Sequence, residues 1–412
     1  MNEPEVADIP SGGDRVRSAL SLSKGMMCSP GLDDDRPARY TCPGENAMTV
    51  DRRDFLMGSA ATAALWTTAP RSEARIAKAT GLRLIGVEEH FSIPEIVGAM
   101  RAAHRTFSDD LDIQNLYAVP ASDLEMTEQG LVDFERKRLA DMDRTGVSMQ
   151  ILSLTAPGVQ VFAPDTAVEF ARLANDRVAE IVKRHPERFA ALTALAPQDT
   201  ARAVAEMQRG IQQLQFNGFI INSHTHNEYL DVPKFWPILE AAEALDRPIY
   251  IHPRAPSVGM AAPMTDYNLS GALWGFGMEA GTHAVRLMIS GALDRFPKLK
   301  IVLGHMGEAV PFWLARLDTN AAPGSDSRQK NQMLPSEYFR RNFWIATTGV
   351  LDPLALQYCI QKIGADRILW STDYPYAPAA PAAAFIAKAP ISDTERQQIA
   401  HGNAERLFHL NG

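Results

Sequence analysis

Cysteine is scarce in this sequence. Cys28, Cys42 and Cys359 are the three in 412 residues, too few for a disulfide framework and without the spacing of a zinc-binding cysteine site. Cys359 lies in an apolar helical stretch and reads as a core residue. Long apolar runs are also missing. The small-residued run 58–66 falls well short of the roughly 20 residues that cross a bilayer, so no stable membrane anchor is expected. No long block of like charge occurs. With a formal net charge of −8, the chain lacks the basic surface that nucleic acid or an anionic membrane would attract. No G-x-G-x-x-G follows an apolar run, which argues against an open doubly wound nucleotide-binding sheet. Short-period internal repeats are absent.

What is present is ordinary globular material, 46% hydrophobic and 22% charged, enough for a large core. Residues 1–47 have weak periodicity and many Gly, Pro, Ser and Asp. They read as disordered or as lying ahead of the true start, with Met48 an alternative start. Residues 48–80 resemble a twin-arginine export signal, with Arg52 and Arg53 ahead of the small apolar run. That address implies a periplasmic protein. The alternative is a chance Arg-Arg pair before an Ala-rich helix, and a cytoplasmic one. The fold is then expected over residues 81–412.

From residue 82 the chain alternates. Buried-strand patterns occur at Leu82–His90, Val147–Leu154, Phe189–Ala196, Phe216–Ser223, Pro248–His252, Lys300–His305, Phe343–Thr348 and Arg367–Asp373. Helical patterns lie between them, at Phe134–Asp143, Asp165–His185, Ala201–Leu214, Phe235–Leu245, His283–Phe296 and Pro353–Ile363, with Thr394–Leu410 closing the chain. Strands that alternate with helices pair in parallel. Eight of them fit a (β/α)₈ barrel of the metal-dependent hydrolase type. Long inserts after the first strand (Phe91–Glu128) and the fifth (Pro253–Thr282) are expected to form a lid and a pocket wall.

In such a barrel the chemistry gathers at the carboxyl ends of the strands. Glu88 and His90 end the first strand and share a face, because alternate strand residues point the same way; Glu89 points oppositely. Alone, these would read equally well as a charged strand end facing water. His252 on the fifth strand and Asp373 on the eighth change that reading. Together, Glu88, His90, His252 and Asp373 offer two oxygen and two nitrogen donors, the mixed set that suits zinc, manganese or iron. His305 and Glu308, three residues apart just past the sixth strand, read as an acid/base pair, with a fifth metal ligand the alternative for His305. Asn222 can bind a substrate oxygen without adding charge. Arg316, on the helix Val310–Leu317, can pair a carboxylate bidentately or form a helix-surface ion pair. His224 and His226 read as loop residues, and His283 as a cap or core residue opening a helix. No lysine lies near the end of the fourth strand, so a bridging carboxylated lysine is excluded and one ion per chain is expected.

Five segments carry a resemblance: Val87–Glu95, Ile151–Pro157, Ile251–Arg254, His283–Gly291 running into Leu303–Glu308, and Ser371–Pro375. Across residues 84–411 the chain resembles the amidohydrolase-related barrel decarboxylases, the branch of γ-resorcylate and 2,3-dihydroxybenzoate decarboxylases. The Glu-x-His start, in place of His-x-His, points to that branch. The resemblance implies Glu88, His90, His252 and Asp373 as ligands of one zinc or manganese ion. It implies His305, Glu308 and Asp373 in proton transfer, Asn222 and Arg316 as contacts to an aromatic carboxylate, and a homodimer or homotetramer. Two departures fall on the pocket wall. Tyr374-Pro-Tyr-Ala377 stands where the family tends to have an aromatic-Pro-Phe-Glu run, and the seventh strand ends in Ala346–Val350 rather than a Ser-Gly-Asn-Phe type. The expected activity is decarboxylation of a hydroxylated aromatic carboxylate; the alternative is metal-dependent hydrolysis of an ester, lactone or amide.

Overall fold

Eight short apolar segments form the strands of the computed structural model, which describes residues 81–105 and 110–410. Residues 1–80, and with them the export-like segment and Cys28 and Cys42, lie outside the described residues. The strands are β1 (Ile85–Phe91), β2 (Met149–Leu154), β3 (Phe189–Ala194), β4 (Gly218–Asn222), β5 (Ile249–His252), β6 (Ile301–Leu303), β7 (Phe343–Ala346) and β8 (Ile368–Leu369). Almost every strand residue is buried. A strand covered on both faces has no solvent side, which is why these segments read as continuous apolar runs. All neighbours pair in parallel and in chain order, β1 through β8.

Helices alternate with the strands and bury one stripe each. Thr200–Gln212, for example, buries Ala203, Met207 and Gly210, the three-to-four-residue spacing that faces one side of a helix. The result is the expected (β/α)₈ barrel. Cys359 is buried on the helix Pro353–Ile363, and burial pushes its thiol up to about 12, as befits a core residue. No helix among the described residues is long and apolar enough to cross a membrane.

β8 is two residues long, so the closure of the barrel falls to the chain just beyond it. There His90 N donates to Tyr374 O at 2.7 Å and Asp373 N to Glu88 O at 3.1 Å, around an isolated parallel bridge between Glu89 and Tyr374. The seam of the barrel thus lies at the residues expected to hold a metal.

Several elements differ from expectation. β6 ends at Leu303 rather than His305, because His305, Met306, Gly307, Glu308 and Ala309 all take positive φ (47°, 55°, 79°, 54° and 60°) and form a left-handed turn. β8 stops well short of Asp373, itself at φ 73°. His283 does not open a helix. It lies inside Gly275–Ile289, whose start has no side-chain cap to signal it. The segment expected as one helix at Phe134–Asp143 opens with a π turn, Phe134–Arg138, before the helix Leu139–Thr145. The closing helix is broken by a π turn at Gln398–Gly402. The first insert holds the helices Pro94–His104, Leu111–Tyr117 and Ala121–Val132.

Candidate active site

β1 ends with Glu88 and His90 on the inside of the barrel, both fully buried. His252 ends β5, and Asp373 follows β8. The donor atoms of these four side chains all lie within 4.8 Å of one another. His90 Nε2 is 3.1 Å from Asp373 Oδ1, and His252 Nε2 is 3.3 Å from Glu88 Oε1. The rings of His90 and His252 meet edge-on with centroids 4.5 Å apart. Burial pulls His90 down to about 4, and pulls His252 well below its ordinary value with His90 adding to it. Both imidazoles are therefore neutral, the state in which a histidine can ligate a cation.

The orphaned atoms make the test of fit. Glu88 Oε1 and His90 Nε2 are buried and have no hydrogen-bond partner in the structure. Buried polar atoms are rarely left so, and both belong to the four-residue cluster. A divalent cation satisfies both, and the mixed oxygen and nitrogen set suits zinc or manganese. The remaining atoms are held in place. Glu88 Oε2 accepts from Tyr250 Oη at 2.6 Å and from the Thr348 hydroxyl. His90 Nδ1 lies 3.2 Å from Ser153 Oγ. Gly304 makes room for Glu88, since a Cβ there would come within 2.7 Å of its carboxylate.

His305 sits beside the cluster, its side chain 27% exposed, with Nδ1 2.9 Å from Glu308 Oε1 and Nε2 4.0 Å from Asp373 Oδ2. Burial acts to lower this imidazole, but the carboxylates of Glu308 and Glu88 outweigh it and hold it up at about 10. His305 is thus an imidazolium, unlike His90 and His252. Burial raises Asp373 to about 7, with His305 opposing. A carboxyl and an imidazolium of different environment side by side are the ingredients of proton transfer near neutral pH. The left-handed turn creates this geometry. It aims His305 and Glu308 at each other, in a conformation that L-residues adopt only under constraint.

Asn222 is buried opposite His252 on β4, with its Oδ1 unpartnered. Arg316 is exposed. With Glu308 and Trp313 it lines a surface cavity of about 500 Å³ that includes none of the four donors. His224 is a buried loop residue bonded to Ala255 O and Asn227 N, and His226 is exposed. His283 is a core residue between Ser223 Oγ and Leu230 N.

The sequence reasoning missed Tyr250 and Thr348. Tyr250 stands two residues before His252 on the same strand, so the alternation that grouped Glu88 with His90 also signals it. Nothing local marks Thr348, which reaches Glu88 only because the barrel brings β7 near β1. Arg254 also carries a structural role that its place in the Ile251–Arg254 segment does not signal. It is buried and bonded to Asp112 of the first insert, with its Nε at 2.7 Å, which ties that insert to the end of β5.

An amidohydrolase family model matches residues 80–410. The chain belongs to the amidohydrolase family. Among amidohydrolase relatives, the gamma-resorcylate decarboxylase of Polaromonas sp. strain JS666 is 38% identical over 336 residues, which is 79% of this chain and 98% of the relative. The crystal structure of 5-carboxyvanillate decarboxylase from Sphingomonas paucimobilis matches with a TM-score of 0.77 and 47% identity, over 80% of this chain and 100% of that one. A dihydroxybenzoic acid decarboxylase from Polaromonas sp. JS666, solved with bound manganese and the inhibitor 2-nitroresorcinol, matches with a TM-score of 0.73 and 37% identity, over 80% of this chain and 98% of that one.

Proposed function

We propose that the chain is a metal-dependent carboxy-lyase that decarboxylates a hydroxylated aromatic carboxylate. The observation that carries this is the four-donor cluster flanked by the His305–Glu308 pair, in a chain whose relatives are dihydroxybenzoate and carboxyvanillate decarboxylases. Glu88, His90, His252 and Asp373 would hold one divalent ion, manganese as in the relative or zinc, which the same donors accept. When bound, such an ion supplies positive charge that grips a carboxylate with its neighbouring hydroxyl and fixes their geometry.

The chain's own groups do the rest. Asn222 offers its free Oδ1 to a substrate hydroxyl. Arg316 lines a separate surface cavity and takes no part in holding the carboxylate at the four donors. Asp373 hands a proton to the ring carbon that bears the carboxylate. The bond from that carbon to the carboxylate then breaks, its electrons return to the ring, and CO₂ leaves. His305, held as the imidazolium by Glu308 and Glu88, returns a proton toward Asp373 across the 4.0 Å between them. The balance is one proton consumed for each CO₂ released.

The same reading includes a homodimer or homotetramer, supported by exposed Trp274, Leu273, Phe312 and Trp313. It includes periplasmic export, supported by Arg52 and Arg53 ahead of a small-residued run; a cytoplasmic enzyme is the alternative.

The test is the reaction in D₂O with a panel of hydroxybenzoates and carboxyvanillate. Decarboxylation places one deuterium on the carbon that lost CO₂. Hydrolysis leaves ring carbons unlabelled. His305→Asn should keep fold and metal and lose at least about a hundredfold in turnover, the usual scale of a general acid–base group. Normal turnover in that variant, with no ring deuterium in the product, would replace the lyase reading with the hydrolase one.

A further inference from the structure

Three of the four donors come from the two sides of the barrel seam: Glu88 and His90 from β1, and Asp373 from the chain after β8. No ladder of strand bonds joins those two sides among the described residues; an isolated bridge and a few single contacts do. Two side chains bond directly across the gap: Ser371, whose Oγ accepts from Glu88 N at 2.7 Å and lies 3.1 Å from Glu88 O, and Glu89. Glu89 is fully buried on the opposite face of β1 from Glu88 and His90. Its Oε1 accepts from Thr372 N at 3.0 Å and Ser371 Oγ at 3.2 Å. Its Oε2 accepts from Thr372 Oγ1 at 2.6 Å and from Gln150 Nε2 of β2 at 3.0 Å. Gln150 Oε1 in turn accepts from Arg138 Nη1 at 3.1 Å, and the same guanidinium donates to the carbonyl of His90. Arg138 is itself fully buried, with its charge stacked 4.5 Å over the Tyr374 ring.

β1 is shaped to admit this carboxylate. Its pairing with β2 shifts register between Gly86 and Glu89, and a Cβ at Gly86 would come within 2.1 Å of Glu89 Oε1. Asp373 follows directly on the clamped residues, and its φ of 73° is one that a non-glycine residue keeps only where its surroundings over-determine it.

We propose that Glu89 is a positioning residue for the metal centre. It fastens the Ser371–Thr372 segment to β1 and so sets Asp373 against Glu88 and His90, while Arg138 and Gln150 hold Glu89 from behind. This rests on the reading of those residues as metal ligands. A carboxylate fits this place better than an amide, because hydroxyl, backbone and amide donors all converge on its two oxygens. Groups behind the ligands typically change metal affinity by about 10–100-fold when removed.

The experiment measures Mn²⁺ affinity of the full chain by competition with a chelating dye, alongside kcat and KM. In Glu89→Gln, Mn²⁺ should bind at least about tenfold more weakly and kcat should fall while KM moves little. Gly86→Ala removes no hydrogen-bonding group but displaces the Glu89 carboxylate, and should weaken Mn²⁺ in the same way. It gives the answer if Glu89→Gln does not fold. Asn175→Ala serves as control for general destabilisation. It removes a buried amide bonded to both N and O of Ala194, away from the seam, and should leave Mn²⁺ affinity unchanged. Affinity and kcat unchanged in both Glu89→Gln and Gly86→Ala, or lowered no more than in Asn175→Ala, would overturn the proposal. Failure of the wild-type chain to bind Mn²⁺ at all would instead overturn the metal reading beneath it.

Discussion

Glu88, His90 and His252 are almost without access to solvent, and what separates them from His305 is the company each keeps. Burial keeps His90 and His252 neutral although each lies beside a carboxylate, whereas the combined pull of Glu308 and Glu88 overcomes burial and keeps His305 charged. Removing His252 should therefore remove a ligand rather than a proton carrier. His252→Ala is expected to lose most of its bound ion by elemental analysis, while full occupancy would sink the ligand set. Two other buried histidines bear on stability. Burial pulls both His224 and His283 down to about 3, whereas an unfolded histidine titrates near 6.5. Below about pH 6.5 the unfolded chain takes up protons that the folded chain refuses, so stability must fall with acid, by up to about 1.4 kcal/mol per pH unit for each histidine. That contribution is complete above about 6.5 and is lost on the way down to about 3. The urea midpoint of the metal-loaded protein should decline on going from about pH 7 to about pH 5, and less steeply in His283→Gln. A flat profile would show that these two rings are not buried neutral.

At the scale of elements, strand order and helix positions were readable because continuous apolar runs and three-to-four-residue spacings are local properties. The ends of β6 and β8 were not. Nothing in Gly304–Glu308 except Gly307 announces a left-handed turn, because the conformation is imposed by packing around a sequence that would not choose it. Ala309 gives a way to measure that imposition. It is exposed at φ 60°, where alanine is strained and glycine is not. Ala309→Gly should stabilise the protein by up to about 1 kcal/mol in denaturant unfolding, since no buried contact is lost. A loss of similar size would mean that the turn is not under strain at this residue. The helix Gly275–Ile289 escaped for a different reason: its first turn is rich in glycine and carries no cap, so the pattern becomes visible only from His283 onward.

For the whole molecule, the export address and the assembly state are the open expectations, and both can be read directly. A fusion beginning at Met48 should reach the periplasm, and replacement of Arg52 and Arg53 by lysine should keep it inside. Equal export of both forms would make the pair incidental. Light scattering should give the mass of a dimer or tetramer; a monomer would leave Trp274 and Phe312 in water with no partner. The sequence by itself determined the barrel, the mixed donor set and the pairing of His305 with Glu308. It could do so because alternation along a strand, and the rule that such barrels work at one end, turn positions in the chain into positions in space. Only the tertiary structure decided how the barrel closes, that Tyr250 and Thr348 hold Glu88, and that Glu89 binds the seam behind the donors. Those contacts join residues that lie up to 283 positions apart in the chain, and no local pattern encodes a partner so distant.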